Sequence, residues 1–418
     1  MNTDASAKGL MNSKILRLVL LAWGGVLAAL DSACAQTWIQ TSAPNKTWSA
    51  IAASADGGKL TAVGLSWNCF TSTNSGAAWV SNSEPQYNSL VGSWYAIASS
   101  ADGSRFLAGT VSSAIFVSTN SGTTWLSNNV PAVTYWGPVA MSANGGKLFA
   151  AAGGNGHPAG PICVSTNSGM TWNLTSAPTN IWTGLASSAD GNKLVAVAGG
   201  SAAYRGFIYL STNSGTTWMQ TTAPSNYWMA VASSADGTKL AAVYYKDTNG
   251  IPGHIYTSAD SGITWASNHF AASFWQSVAL SADGSRLVAG GELYNNFNVY
   301  VSTNFGATWA SNNLASASVV SVASTADGGR LFAAALNGQI FSAQSVVAPR
   351  LNLTPAVSNL ALSWIIPSTN YFVQRISSLT ATNWTAVTNA SVLNLTNLQN
   401  QVFLPRTNAS GFFRLATP

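Results

Sequence analysis

Apolar and polar positions alternate in a block that recurs along most of the chain. Each block usually opens with Trp-x-x-aliphatic-Ala and reaches a Ser-Ala-Asp-Gly turn, a short apolar run, a variable gap and a motif close to Ser-Thr-Asn-Ser-Gly-x-Thr-Trp. The first turn begins at Ser54, Ser100, Ser142, Ser188, Ser234, Ser281 and Thr325. The second motif begins at Ser72, Ser118, Ser165, Ser211, Ser258 and Ser302. Period-two alternation between tight turns predicts short antiparallel strands in every copy.

Each copy is long enough for four strands, which we name a to d in chain order. In the fifth copy, Trp228 to Ser233 predicts strand a, Lys239 to Tyr245 strand b and Ile255 to Thr257 strand c, and strand d begins near Trp265. Four-stranded repeats roughly 45 residues apart are typical of β-propellers. The sequence therefore predicts an all-β fold, a seven-bladed β-propeller.

The seventh copy is incomplete at its end, and the N-terminal region supplies the missing part. No second motif follows Ser342, whereas residues 37–44 (TWIQTSAP) match residues 217–224 (TWMQTTAP) after the fourth copy of that motif. We therefore expect an N-terminal strand to close the last blade as its strand d. Such a closure removes two exposed sheet edges.

Two segments flank the repeats. Residues 1–35 have the features of a signal peptide: Lys14 and Arg17, an apolar core from Leu18 to Leu30, and Ala33-Cys34-Ala35 as a cleavage site. The prediction is a secreted or extracytoplasmic propeller over residues 36–348. Residues 349–418 alternate short strands with Asn, Ser and Thr turns, which favours a small β-sandwich. No apolar run after residue 35 reaches the length of a transmembrane helix.

Composition narrows the possible chemistry. Charged residues make up only 7% of the chain. Residues 349–418 contain four arginines and no acid, which fits either an ordinary soluble module or one weakly attracted to an anionic surface. Basic clusters interleaved with aromatics are missing, so nucleic acid is not an expected partner. Cys69 and Cys163 are expected to be buried free thiols. We expect no metal or cofactor, and a monomer.

The eight residues from Ser258 to Trp265 resemble the Asp-box of BNR-repeat propellers, and residues 349–418 resemble fibronectin-type or immunoglobulin-like modules. In the other second motifs an asparagine takes the Asp position: Asn74, Asn120, Asn167, Asn213 and Asn304. The resemblance implies a fold shared by sialidases, other glycosidases, sortilin-type receptors and photosystem assembly factors, and not one activity. Sialidases use three arginines, but Arg105, Arg286 and Arg330 occupy the repeat position of Lys59 and Lys147. Sialidase catalytic residues are therefore not expected.

Binding is expected on the face where the b–c and d–a connections emerge, which we call the loop face, because loops on a rigid scaffold usually carry function. The candidates for ligand binding are Trp182, Trp228, Trp275, Tyr204, Arg205, Tyr245, Asp247, His254 and Glu292. The tryptophans either ring the channel mouth or pack between blades. Asp247 and Glu292 are either a glycosidase-like carboxylate pair or solvated acids. The sequence favours a secreted binding or scaffolding propeller for an extracellular glycan or protein. Its alternatives are a glycoside hydrolase or lyase, and a structural envelope component.

Overall fold

The structure is a computed structural model of the 418-residue chain. The predicted signal segment, residues 1–35, lies outside the described residues. The structure describes residues 36–66, 68–82, 93–111, 114–128, 130, 135–154, 156–201, 204–247, 249–293, 296–314, 317–345, 351–355, 359–365, 371–378, 383–394, 398–405 and 411–416.

The first half of the repeat region forms antiparallel sheets of four consecutive strands, as the alternation predicts. The first strand of the chain stands before them, β1 (Trp38–Gln40). The first sheet comprises β2 (Trp48–Ala53), β3 (Leu60–Gly64), β4 (Cys69–Ser72) and β5 (Val80–Ser81). The second comprises β6 (Trp94–Ser99), β7 (Phe106–Thr110), β8 (Ile115–Ser118) and β9 (Leu126–Asn128). The third comprises β10 (Trp136–Met141), β11 (Leu148–Ala152), β12 (Ile162–Ser165) and β13 (Asn173–Leu174). The fourth comprises β14 (Trp182–Ser187), β15 (Leu194–Ser201), β16 (Tyr204–Ser211) and β17 (Met219–Gln220).

The fifth and sixth repeats depart from this pattern because they share a strand. Their strands are β18 (Trp228–Ser233), β19 (Leu240–Tyr244), β20 (Gly253–Ser258), β21 (Ala266–Leu280), β22 (Leu287–Leu293), β23 (Asn296–Ser302) and β24 (Ala310–Asn313), in one seven-stranded sheet. The early part of β21 pairs with β20 and its later part with β22. Equivalent connections elsewhere contain Pro44, Pro178 or Pro224, whereas residues 266–280 contain neither proline nor glycine. The chain can therefore stay extended from one repeat into the next.

The N-terminal strand closes the last sheet. This sheet combines β25 (Val319–Ser324), β26 (Arg330–Ala335) and β27 (Ile340–Gln344) with β1 in the order β1-β27-β26-β25. Trp38 pairs with Ala343 and Gln40 with Phe341. The predicted strand closure is confirmed, and the outer edge of β27 is covered.

The repeats are arranged in a ring, which the Ser-Ala-Asp-Gly turns tie together. The alanine N–H of each turn donates to the alanine carbonyl of the next turn, at 2.7–2.8 Å. The participants are Ala55, Ala101, Ala143, Ala189, Ala235, Ala282 and Ala326, and the Ala326 N–H returns to the Ala55 carbonyl. The first strands of successive repeats also contact one another, including β25 with β2. The two ends of the repeat region therefore meet.

The core lies between successive sheets. The tryptophan that opens a repeat packs against strands b and c of the preceding repeat: Trp182 clusters with Phe149 and Ile162, and Trp275 with Val243 and Ile255. Aliphatic and small residues of strand b fill the rest of each interface. Cys69 and Cys163 lie in these interfaces as free, buried thiols, as expected.

The C-terminal residues form two further small sheets. Their strands are β28 (Asn352–Pro355), β29 (Asn359–Ile365), β30 (Phe372–Ile376), β31 (Thr385–Ala386), β32 (Val392–Asn394), β33 (Gln399–Pro405) and β34 (Phe412–Ala416). The sheet orders are β28-β29-β33-β32 and β31-β30-β34. A shared core of Leu362, Trp364, Val373 and Val402 joins the two sheets. Ile365 and Leu398 also pack against the alanine ring at Ala55 and Ala326.

Candidate functional site

The acidic groups of the first turns serve the turns themselves. In the second repeat, the Ser100 hydroxyl donates to Asp102 Oδ1 at 2.6 Å, and the Ser104 N–H donates to the same atom at 3.0 Å. Burial opposes ionisation of Asp102, but these hydrogen bonds and the nearby Lys59 outweigh it and lower the pKa of the carboxyl. Asp190, Asp236 and Asp283 show the same balance. The hydrogen bonds of these aspartates therefore shape the turns in which they lie.

The basic residues that follow each first turn link neighbouring repeats. Arg105 Nη1 donates to Ser168 Oγ of the next repeat at 2.7 Å, and Lys147 Nζ donates to Ser214 Oγ at 3.0 Å. Lys59, Lys193, Arg286 and Arg330 reach a serine in the same way, and Lys239 Nζ lies 5.3 Å from the centre of the Phe305 ring. Arg105, Arg286 and Arg330 therefore occupy a structural position and do not converge on one substrate.

The second motif keeps its turn whether Asp or Asn is present. Asp260 accepts the Thr264 N–H at 2.9 Å and the Thr264 hydroxyl at 2.6 Å. In the fourth repeat, Asn213 Oδ1 accepts the Thr217 N–H at 2.8 Å, and its amide Nδ2 donates to the Thr217 hydroxyl at 2.9 Å. The threonine hydroxyl reverses its role between donor and acceptor, so both side chains close the same hairpin.

Trp182, Trp228 and Trp275 do not line an exposed site. All three are 0% exposed. Trp182 Nε1 donates to the Gly160 carbonyl and Trp275 Nε1 to the Gly253 carbonyl, each at 3.0 Å. The interpretation of these three residues as an exposed ring for ligand stacking is therefore wrong, because the indoles fill the interfaces between repeats.

Asp247 and Glu292 have different surroundings. Asp247 Oδ1 accepts the backbone N–H groups of Asn249 at 2.8 Å and Ile251 at 2.9 Å, so this carboxylate shapes its own b–c loop. Glu292 lies half-buried in β22, opposite Phe274 of β21. These hydrogen bonds give Asp247 a role in forming the turn. Such a role fits an acid of a polar loop, and the chemistry of a general acid does not require it.

Other predicted site residues gather around Tyr244 at the end of β19. The rings of Tyr244 and His254 meet edge to face with centres 6.0 Å apart. Burial raises the pKa of Tyr244 to about 12, Tyr256 and Asp247 add to the effect, and exposed Arg205 opposes it. His254 therefore contacts the Tyr244 ring, and the charges of Asp247 and Arg205 act on its buried phenol. Tyr204 lies at the start of β16, and its side chain is outside the described part of the molecule.

An aromatic group on the loop face includes residues that the prediction did not select. Tyr245 lies with its ring centre 5.6 Å from that of Tyr227 and 5.1 Å from that of Phe274, and Tyr245 and Phe274 are partly exposed. Lys246 Nζ stands 5.7 Å from the centre of the Tyr245 ring. Tyr227 and Phe274 directly precede the buried tryptophans of their repeats. This position next to the repeated tryptophan is the feature of the sequence from which the two aromatic residues could have been selected.

A second aromatic group surrounds Tyr95. His157 stacks on Tyr135 with ring centres 3.6 Å apart, and the hydroxyls of Tyr95 and Tyr135 are hydrogen-bonded. Burial raises the pKa of Tyr95, and Tyr227 adds to the rise. Tyr95 and Tyr227 belong to the second and fifth repeats, which are not neighbours. The charge of one phenol therefore acts on the other from a repeat that is not its neighbour.

Among the described residues, no helix is long and apolar enough to cross a membrane. The same part of the chain has no group of three or more His, Cys, Asp or Glu side chains placed to hold a metal ion.

Comparison with known proteins identifies the fold. No protein-family model matches the chain, and no curated protein sequence matches it. Solved structures do: YCF48 from Cyanidioschyzon merolae is 14% identical over 74% of this chain and 99% of its own, with a TM-score of 0.57. A structure of YCF48 bound to D1 peptide is 13% identical over 75% of this chain and 98% of its own, with a TM-score of 0.56. A GH74 xyloglucanase from Xanthomonas campestris is 14% identical over 79% of this chain and 59% of its own, with a TM-score of 0.59. The chain is a β-propeller.

Proposed function

We propose that the protein is a secreted binding or scaffolding module whose loop face recognises an extracellular protein or glycan. One observation carries this proposal. The ionic groups of the turns and of the positions after them are engaged in the fold, whereas the partly exposed rings of Tyr245 and Phe274, together with Lys246 and Arg205, lie on the loop face. Aromatic rings beside a few charged groups are common in binding surfaces. A YCF48 structure of the same fold holds a peptide, which supports a protein partner.

The proposed architecture is a seven-bladed propeller with Asp-box-like turns in the manner of BNR repeats. Seven turns linked in a closed ring support the blade count, with β21 serving as strand d of one blade and strand a of the next. The two C-terminal sheets around one core support a small β-sandwich over residues 349–418. The pattern of residues 1–35 supports secretion, and we propose a monomer.

A glycoside hydrolase or lyase is the alternative, since GH74 enzymes share the fold. It requires an acid and a second carboxylate flanking a substrate. Asp247 and Glu292 are the candidates, but the bonds from Asn249 and Ile251 already engage Asp247 Oδ1. Hydrolysis of a glycan by the wild-type chain, lost in both Asp247→Asn and Glu292→Gln, would favour this alternative over binding.

The proposal is tested by screening the purified chain against a glycan array and a displayed peptide library. Each hit is then measured with a Tyr245→Ala/Phe274→Ala variant and with Leu126→Ser, a substitution on the exposed outer strand β9. We expect the loop-face variant to weaken binding at least tenfold and Leu126→Ser to leave it unchanged. Hits that bind both variants like wild type would place recognition elsewhere and contradict the proposal.

A further inference from the structure

Three consecutive repeats expose an aliphatic side chain at the same point of the loop face. Leu336 of the last repeat is 48% exposed, Leu65 of the first 44% and Val111 of the second 40%. Each is the first residue after its strand b. The backbone N–H of each residue donates to the carbonyl of the residue directly before strand a of the same repeat. These pairs are Leu336 with Ser318, Leu65 with Thr47 and Val111 with Ser93. The three side chains therefore occupy equivalent positions near the inner end of the loop face.

The aliphatic positions belong to the same ring of positions as the aromatic group. In the fifth repeat the equivalent N–H is that of Tyr245, which donates to the Tyr227 carbonyl at 3.0 Å. At this position the loop face thus presents an aliphatic side chain in three repeats and the aromatic side chain of Tyr245 in the fifth.

Position relative to the axis distinguishes these residues from other exposed apolar side chains. Leu126 and Met219 are more exposed, at 69% and 61%, but they lie on the outermost strands β9 and β17. Sheets arranged around an axis diverge outward, so equivalent side chains at the end of strand b lie closer to one another than equivalent side chains on the outer strands. Clustered apolar side chains mark interaction sites, whereas scattered ones are ordinary on protein surfaces.

The ionic groups on this face favour an acidic partner. Lys46 lies in the connection from β1 to β2, Arg205 is exposed, and Lys246 stands beside Tyr245. Among the described residues of this face, these three cations stand against two acids, the partly exposed Glu292 and Asp247, whose Oδ1 accepts two backbone N–H groups. The described charged side chains of this face therefore have a small positive balance, which favours a partner with acidic groups.

Because exposed aliphatic side chains and cations share the loop face, we propose that this face binds an extended polypeptide segment with apolar side chains flanked by acidic residues. Leu65, Val111 and Leu336 gain from burial against apolar side chains but offer no hydrogen bonds to sugar hydroxyls, which would be desolvated against them. These aliphatic side chains thus favour a polypeptide over a glycan. This inference rests on the proposed function and names its partner class.

The test uses a phage-displayed dodecapeptide library panned on the full chain, followed by fluorescence anisotropy with the enriched peptides in synthetic form. Enriched sequences should combine apolar residues with Asp or Glu. Their affinity should fall about tenfold or more in Leu65→Ser/Leu336→Ser and in Lys246→Glu. It should be unchanged in the matched control Leu126→Ser/Met219→Ser, which removes apolar side chains of greater exposure from outer strands.

The outcomes separate the two proposals. Peptides that resist the Leu65/Leu336 substitutions, or that lose affinity equally in the outer-strand control, overturn the polypeptide surface. A glycan that binds on an array and is lost in Tyr245→Ala/Phe274→Ala, with no peptide enriched, also overturns it but leaves the loop-face binding function standing. Absence of any peptide or glycan binding that depends on this face overturns both.

Discussion

The Ala326 N–H donates to the carbonyl of Ala55 at 2.8 Å, joining the last turn of the repeat region to the first. Six like bonds link the other turns in sequence. Together with the pairing of β1 and β27, this bond makes the repeat region a closed structure in which every sheet has two neighbours. Stability should therefore depend strongly on the residues that close the ring.

Deleting residues 36–44 should lower the melting temperature by about 5 °C or more. The deletion exposes the edge of β27 and removes Trp38 from the cluster around Leu331 and Phe341. Differential scanning calorimetry measures the change. As a control, Ile39→Ser alters a 64% exposed side chain on the same strand and should shift the transition by about 1 °C or less. Equal transitions for the deletion and wild type would refute the closing role of β1.

Trp275 and Asp260 should differ sharply in their contribution to stability. Trp275→Ala removes a fully buried indole and its hydrogen bond to the Gly253 carbonyl, so it should cost about 3–5 kcal/mol. Asp260→Asn keeps the acceptor for the Thr264 N–H and should cost less than about 1 kcal/mol. Urea unfolding of both variants gives the comparison. Similar costs would contradict the structural role of the indole.

The pH dependence of stability should change when Asp260 is replaced. Hydrogen bonds from the Thr264 hydroxyl, the Thr264 N–H and Ser258 lower the pKa of Asp260 from 3.8 to about 2. The unfolded chain takes up this proton at higher pH than the folded protein does. The stabilisation is therefore complete above about pH 4 and is lost as the pH falls through about 2.

Asp260→Asn has no such titration, so its urea midpoint should fall less between pH 4 and pH 2 than that of wild type. Asp247→Asn provides a second carboxylate-to-amide change outside the second motif. Parallel curves for wild type and Asp260→Asn would show that the turn carboxylate does not titrate as described.

Both cysteines should be inert toward thiol reagents in the folded protein. Burial raises the pKa of Cys69 and of Cys163 to about 12, so almost no thiolate exists at pH 8. In a chain that lacks residues 1–35, Ellman's reagent should detect no thiol before unfolding and two after it in urea. Rapid reaction of either cysteine in the native state would argue against closed interfaces between the repeats.

The sequence predicted the strands well because its repeats carry local signals. The Ser-Ala-Asp-Gly turns form through contacts within a few residues, as those of Ser100 with Asp102 show, and such contacts can be read from spacing. The match between residues 37–44 and 217–224 likewise predicted the pairing of Trp38 with Ala343. Continuous β21 was not predicted, because the end of a strand was inferred from repeat spacing and not from the missing proline.

The site was predicted less well because it depends on packing between distant segments. Whether Trp182 faces a ligand or a neighbouring sheet is decided by Phe149 and Ile162, which its own repeat does not contain. The role of Asp247 was readable in principle, because an aspartate two residues before Asn249 in a Gly-containing loop favours an Asx turn. The ring contact between Tyr245 and Phe274 joins two repeats, and no local pattern in the sequence predicts it.

The pairing of β1 with β27 also has a consequence for the order of folding. Trp38 is among the first described residues to be synthesised, yet its partner Ala343 appears some three hundred residues later. Until then β1 has no sheet to join, and the alanine ring lacks the bond from Ala326 to Ala55. The strands of the other repeats can pair locally as they are synthesised. The pairing of β1 with β27 comes last, because it joins two segments at opposite ends of the repeat region.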